Sequence, residues 1–171
     1  MPSFGLPEER PPGLDSPWAA RAIKYMAKAQ VKVFEATNGR IGNTWRVGAG
    51  FKKPVPTLLL HHVGRTSGRE FTTPLLYLAD RPGAPVGTSD LVIVGSQGGM
   101  PKHPQWYRNL LAQPDVAVSL PGRRRVAVHA RQAPAEEKAQ LWPRLVDLYA
   151  DFEKYERWTD REIPVLVLSP R

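Results

Sequence analysis

Cysteine is absent from the 171-residue chain. That excludes a disulfide framework, thiolate zinc, iron–sulfur ligation and a cysteine nucleophile. Without disulfides to form, the chain needs no oxidising compartment, and a cytoplasmic location is the expectation. No apolar run approaches the about 20 residues that span a bilayer. The first fifteen residues, rich in Pro and Gly with Glu8, Glu9 and Arg10, lack the basic-then-apolar order of a signal peptide. Acidic side chains are scarce: 16 Asp and Glu stand against 24 Lys and Arg, a net charge of +8. What is present suffices for a core. Apolar residues make up 42%, with five each of Trp, Tyr and Phe, so disorder throughout is excluded. The length fits a single domain, expected over residues 17–171, with a flexible tail at 1–16.

The positive charge is uneven. Six Lys or Arg against one Glu fall between Arg40 and Thr72, and Arg123, Arg124, Arg125 and Arg131 form a second basic cluster. From Pro134 to Glu162 the balance reverses, with eight acids against five bases. Such a field suits an anionic partner, whether a phosphorylated cofactor, nucleic acid or a lipid surface, and equally a solvated basic face. Nucleic acid is supported by charge alone, and the acidic C-terminal third argues against it. The expectation is no nucleic-acid partner.

Ser16-Pro17 opens a helix in the order N-cap then Pro, and Asn38-Gly39 closes it. Within helix 17–38, Ile23, Met26, Ala27, Val31 and Phe34 share a face, while Lys24, Lys28 and Lys32 repeat at i+4 on another. This amphipathic pattern fits packing on its own domain, and also peripheral contact with anionic lipid. Strand signals then follow at Thr57–Val63, Phe71–Asp80 and Asp90–Gly95, rich in Leu, Val and Thr. A short helix is expected at Pro104–Leu111. Val116–Leu120 and Arg123–Arg131 flank the turn pair Pro121-Gly122, a β-hairpin. Pro134 starts a helix that Pro143 should kink, and Ile163–Leu168 reads as a last buried strand. Six strands with long connections predict a mainly β (α+β) fold, a small antiparallel barrel rather than βαβ units.

Two loops have the chemistry of anion sites. Gly64-Arg65-Thr66-Ser67-Gly68 joins two strands, and its glycines allow a ligand to approach the backbone, with Arg65 and two hydroxyls as donors. A plain β-turn reads the same way. Ser96–His103 runs from a strand into a helix and combines Gly98, Gly99 and Lys102 with a helix N-terminus. Neither loop has Walker or dinucleotide-binding spacing. Trp106 and Asn109, three apart, share a helix face that could frame a planar heterocycle. His61 and His62 are adjacent in a strand, point to opposite faces and are poor joint metal ligands. The residues alone lead to a phosphate-bearing planar ligand and no metal.

VGRTSG at Val63–Gly68, TTPL at Thr72–Leu75, GSQGG at Gly95–Gly99, HPQWYRNL at His103–Leu110, AQPDV at Ala112–Val116 and WTDREIPV at Trp158–Val165 stand in order. Together they resemble the deazaflavin (coenzyme F-420)-dependent nitroreductase family of actinobacteria, the group that includes the mycobacterial nitroimidazole-activating enzyme. The resemblance covers about residues 58–170. It implies a split β-barrel of the flavin-binding type with an N-terminal helix and a kinked C-terminal helix, and 8-hydroxy-5-deazaflavin coenzyme F-420 as hydride donor. It implies that Arg65, Thr66 and Ser67 line the phosphate and tail region and that Thr72, Thr73, Pro74 and Leu75 pass beside the deazaflavin. Val94, Gly95, Ser96 and Gln97 would form the next wall, completed by Gln105, Trp106 and Asn109. Relatives often carry cations where Phe71 and Gln97 stand, so tail recognition here would differ.

The cofactor would carry the hard chemistry, which agrees with the lack of a nucleophilic triad. By the same resemblance the acceptor lies against Tyr149, Phe152 and Tyr155, whose spacing also fits a core stripe. Ser96, Tyr149 and Tyr155 would be the catalytic hydroxyls. The expected reaction is hydride transfer to a quinone, an activated enone or a nitro compound, in a monomer or homodimer. A flavin mononucleotide- or haem-binding barrel and a non-catalytic deazaflavin carrier remain as alternatives.

Overall fold

The computed structural model describes residues 6–171. Helix α1 spans Pro17–Ala36. Its first turn is capped by Ser16, whose Oγ accepts from the Ala19 N–H at 3.2 Å, which satisfies one of the orphan donors at a helix start. It ends as Asn38 and Gly39 take φ of 50° and 76° and the Gly39 N–H returns to the Phe34 carbonyl at 2.8 Å. The strands are β1 (Thr44–Trp45), β2 (Val55–Val63), β3 (Glu70–Leu76), β4 (Leu78–Ala79), β5 (Leu91–Val94), β6 (Asp115–Leu120), β7 (Arg123–Gln132) and β8 (Val165–Pro170). Helices α2 (Gln105–Ala112), α3 (Ala135–Leu148) and α4 (Asp151–Arg157) complete the fold.

Every ladder is antiparallel. The order β1-β2-β6-β7-β8-β5-β4 curls round, and β3 pairs with the other edge of β2. Only Tyr77 separates β3 from β4, so one stretch of chain leaves β2 and continues onto β5. That transfer closes the circuit, while β3 itself, up to Leu76, has no ladder to β5. This is the split of a split β-barrel, the expected fold class.

Period-two alternation sorts the side chains. Leu58, Leu60, Leu91, Ile93, Val118, Leu166 and Leu168 fill the barrel, and Trp106, Tyr107 and Leu110 of α2 join them. Val92, Val94, Val165 and Val167 face outwards and are covered by Leu141, Leu145, Tyr149 and Phe152 from the α3–α4 segment. The helices therefore lie where the sheet's outer face is apolar, as burial of about 25 cal/mol per Å² of apolar surface dictates.

Element positions agree with expectation to within a few residues, apart from three features. Pro143 lies within α3, not at a break, because its position is exposed and water can serve the carbonyl it leaves unpaired. The interruption comes at Tyr149, with φ −146° and ψ 96°, which divides α3 from α4. The two-residue strands β1 and β4 carry no periodicity to read. Of the expected tail, residues 1–5 lie outside the described residues. Leu6 and Glu8 bond to α4 and the residue after it: the Lys154 ammonium donates to the Leu6 carbonyl, Arg157 pairs with Glu8 at 2.9 Å, and Trp158 Nε1 donates to the Glu8 carbonyl at 2.8 Å.

Candidate active site

At the split, the outer face of the barrel and two helices enclose a cleft of about 520 Å³. Its floor is Thr57 of β2, Pro74 and Leu76 of β3 and Val94 of β5. One wall is α1, through Ile23, Met26, Ala27 and Gln30, and the other is Tyr149 with Phe152 and Tyr155 of α4. Leu75 and Trp106 reach it from the barrel interior, and Ser96, Gln97 and Gly98 close one end. Pro74 is tolerated because β3 pairs through one edge only, so its missing N–H breaks no ladder on the free side. The volume lies in the usual range for small-molecule sites, about 300–1,000 Å³.

The turn after β5 is unusual. Gln97, Gly98 and Gly99 have φ of 46°, 61° and 72° in succession. A non-glycine residue there carries strain that something else must hold. Arg161 holds it: Nη2 donates to the Ser96 carbonyl at 2.7 Å, Nε to the Met100 carbonyl at 2.9 Å and Nη1 to His103 Nδ1 at 3.2 Å. Burial, and the nearby Arg161 and Arg108, hold the His103 pKa below its ordinary value, so its ring stays a neutral acceptor. A Cβ on Gly99 would lie 3.1 Å from the Tyr155 carbonyl and 3.0 Å from Trp158 Cβ, so glycine lets this turn sit against α4.

A second set of predicted residues meets at the mouth of α2. The Arg65 backbone N–H and Nη1 both donate to Asn109 Oδ1, at 3.2 and 3.1 Å, and Nη1 also reaches Gln105 Oε1 at 2.9 Å. Asn109 Nδ2 donates to His62 Nδ1 at 3.0 Å, and His62 Nε2 donates to Thr73 Oγ1 at 3.0 Å. The chain Gln105–Arg65–Asn109–His62–Thr73 thus ties the GRTSG loop to β2, β3 and α2. Gly64 is needed here because a Cβ would lie 2.4 Å from Ser67 Oγ and 2.9 Å from the Phe71 ring. The Ser67 hydroxyl is taken up inside its own loop by the Arg69 N–H at 3.3 Å.

Other predicted residues are placed apart. Thr72 alternates with Thr73 and faces the opposite side of β3, where its Oγ1 meets His61 Nδ1 at 3.1 Å; His61 Nε2 in turn meets Ser119 Oγ at 2.7 Å. Gly95 is packed on Pro164, whose Cγ would be 2.7 Å from a Cβ, and is not among the residues that line this cleft. Thr66 and Ser67 are exposed on the loop, outside the cleft. Pro74, Leu75, Val94, Ser96, Gln97, Trp106, Tyr149 and Tyr155 share the cleft.

Tyr149 and Tyr155 bring their hydroxyls to 3.1 Å. Burial raises both pKa values, for Tyr155 far above the ordinary tyrosine value, so both remain protonated donors at neutral pH. Beside them the buried Asp151 accepts from the Ala49 N–H at 2.7 Å, which fixes the start of α4 against the turn at Gly48–Phe51.

The comparisons with known proteins fit this geometry. The model of the F420H2-dependent quinone reductases matches residues 26–170. The chain belongs to that family. It is 49% identical over 126 residues to a putative F420H2-dependent quinone reductase of Mycobacterium tuberculosis, covering 74% of this chain and 99% of the relative. It is similar to the solved structure of an F420-H2-dependent reductase, at 32% identity and TM-score 0.57, over 67% of this chain and 94% of that one. It is also similar to a domain-swapped dimer, at 27% identity and TM-score 0.60, over 86% of this chain and 99% of that one. This quinone-reductase family member is an oxidoreductase, and its cofactor is coenzyme F-420.

Three contributors are not evident in the sequence. Arg161 sits between Asp160 and Glu162, and so reads as a solvated charge; the WTDREIPV motif around it was the only signal. The α1 residues were recognisable as a face but not as a wall of the site. His62 reads in the sequence only as one of two poor joint metal ligands, and its role comes from Asn109, 47 positions away.

Proposed function

We propose that residues 17–171 act as one reductase domain that passes hydride from reduced coenzyme F-420 to a quinone. The observation that carries this is the cleft at the barrel split, largely apolar, about 520 Å³, and lined by the hydroxyl-bearing Ser96, Tyr149 and Tyr155. The residues present fit the group: a flat ring suits Pro74, Leu75, Val94 and Trp106 beside the free edge of β3. Among the described residues no carboxylate pairs with Arg65, Arg69 or Lys102; Arg65 is held by the neutral Gln105 and Asn109 and Arg69 lies over the Phe71 ring, so their charge suits an anionic tail. When bound, the deazaflavin supplies hydride chemistry. Arg65, with Gln105 and Asn109 behind it, orients the tail near Thr66 and Ser67, while Thr73 and Gln97 border the ring. Ser96 hydrogen-bonds an acceptor oxygen, and the Tyr149–Tyr155 pair, kept protonated, donates a hydrogen bond from Tyr155 Oη to that oxygen. Activated enones and nitro compounds share the needed oxygen acceptor and are further candidate acceptors.

The test is an assay with reduced coenzyme F-420 and menadione, cyclohexenone or a nitroimidazole. Oxidation of the coenzyme with menadione is the expected result, and no oxidation with any of the three would refute the reading.

We further propose that α1 meets a second copy or an anionic lipid surface. Trp18 is 79% exposed and Tyr25 70%, next to the exposed Lys24, Lys28 and Lys32, and the likeness to a domain-swapped dimer supports the second copy. No helix among the described residues is long and apolar enough to cross a membrane. Sedimentation with and without anionic vesicles reads both contacts: a monomer that stays in the supernatant would remove them.

A further inference from the structure

Thr57 Oγ1 and Trp45 Nε1 are buried and lack hydrogen-bond partners, and both residues line the cleft. Thr57 is 2% exposed. The β1–β2 ladder pairs Trp45 with Val55, two residues before Thr57 and on the same face, so both side chains project to one side. The Trp45 indole N–H lies beside the Tyr149 hydroxyl without reaching bonding geometry. Around them the lining is apolar, with Leu76, Val94, Phe152 and Ala27. Buried polar atoms are almost always partnered, so two orphans in one cleft wall call for an occupant that supplies the acceptor.

We propose that Thr57 and Trp45 form a polar subsite that holds one carbonyl oxygen of a flat conjugated ring. An indole N–H only donates and a hydroxyl has one proton to give, so together they match an oxygen with two lone pairs. The indole, which cannot accept, does not match an N–H or a cation. A rotation of about 120° about Thr57 χ1 carries the hydroxyl into the place of the methyl, and the methyl into that of the Cβ hydrogen, which turns the donor toward the cleft. Such an oxygen is carried by a quinone acceptor and by the deazaflavin ring alike. The inference rests on the reading that this cleft takes planar carbonyl compounds.

Thr57→Val keeps the shape and removes the hydroxyl, and Trp45→Phe removes the N–H. The ligand-free Thr57→Val protein should melt about 2–4 °C higher, since it no longer buries an orphan. Equilibrium titration with menadione and, separately, with coenzyme F-420 should show one of the two bound about three- to tenfold more weakly by each variant. The other should be unchanged, and which one weakens identifies the source of the carbonyl. A Thr57→Val protein less stable than the wild type, or one that binds both ligands as tightly, overturns the subsite. If the wild type itself binds neither, the reading of the cleft fails and takes the subsite with it.

Discussion

Replacing Arg161 with Ala should lower kcat/KM for menadione reduction by about tenfold to a hundredfold, the usual cost of displacing a site by about an ångström. The guanidinium spans the whole turn that ends the cleft, bonding the carbonyls of Ser96 and Met100 and the ring of His103. Among the described residues it has no carboxylate within salt-bridge distance, so its charge is spent on these neutral acceptors. Without it, two inward carbonyls lose charge-assisted partners worth about 1.5–3 kcal/mol each. The turn is then left with its own backbone bonds, from the Gly99 N–H to the Ser96 carbonyl at 3.0 Å and from the Met100 N–H to the Gln97 carbonyl at 3.2 Å, to hold Gln97 at a φ of 46°. Ser96 would drift with the turn, and so would the seat of α4 on Gly99. Arg161→Lys should not restore activity, because one ammonium cannot span both carbonyls in the planar fork. The check is steady-state kinetics of both variants beside a thermal melt. An alanine variant with wild-type kcat/KM would show that the turn holds itself.

Why Arg161 was hidden while Arg65 was visible follows from where each contact is made. Arg65 sits in a short loop between glycines, and local spacing alone flags a possible anion site. Arg161 bonds residues 58 to 65 positions away, so only the folded chain reveals its work. The same distinction runs through the fold. The apolar, β-branched runs of β2, β5 and β8 and the caps of α1 are local properties, and their positions could be read to within a few residues. The passage of β3 into β4 across Tyr77 depends on which strand each half meets, and no local period encodes it. Thr72 and Thr73 show the limit most directly. They belong to one motif, yet the strand's period of two sends Thr72 to His61 and Thr73 to His62. A resemblance names both residues together, whereas the backbone puts only one of them in the chain that supports Arg65.

That chain should also make the protein acid-sensitive. Burial, with His61 beside it, pushes the His62 pKa down from 6.5 to about 4. The unfolded chain therefore binds the proton first as pH falls, and stability drops between those two values. It is fully present above about pH 6.5 and the His62 contribution is gone near pH 4. A shift of that size is worth about 3 kcal/mol at most. His61 adds to it with the same sign, since burial and the nearby Arg125 also lower its pKa. The structural event is specific: a proton on His62 Nδ1 would face the Asn109 Nδ2 donor at 3.0 Å. Asn109 would have to turn its amide, which withdraws Oδ1 from the Arg65 N–H and guanidinium. Denaturant titrations at pH 7, 5.5 and 4.5 should show the wild type losing most of this energy. His62→Gln, which cannot take up the proton, should start less stable at pH 7 and lose less on acidification. Equal losses in both proteins would place the acid sensitivity elsewhere than in the Arg65–Asn109–His62 chain.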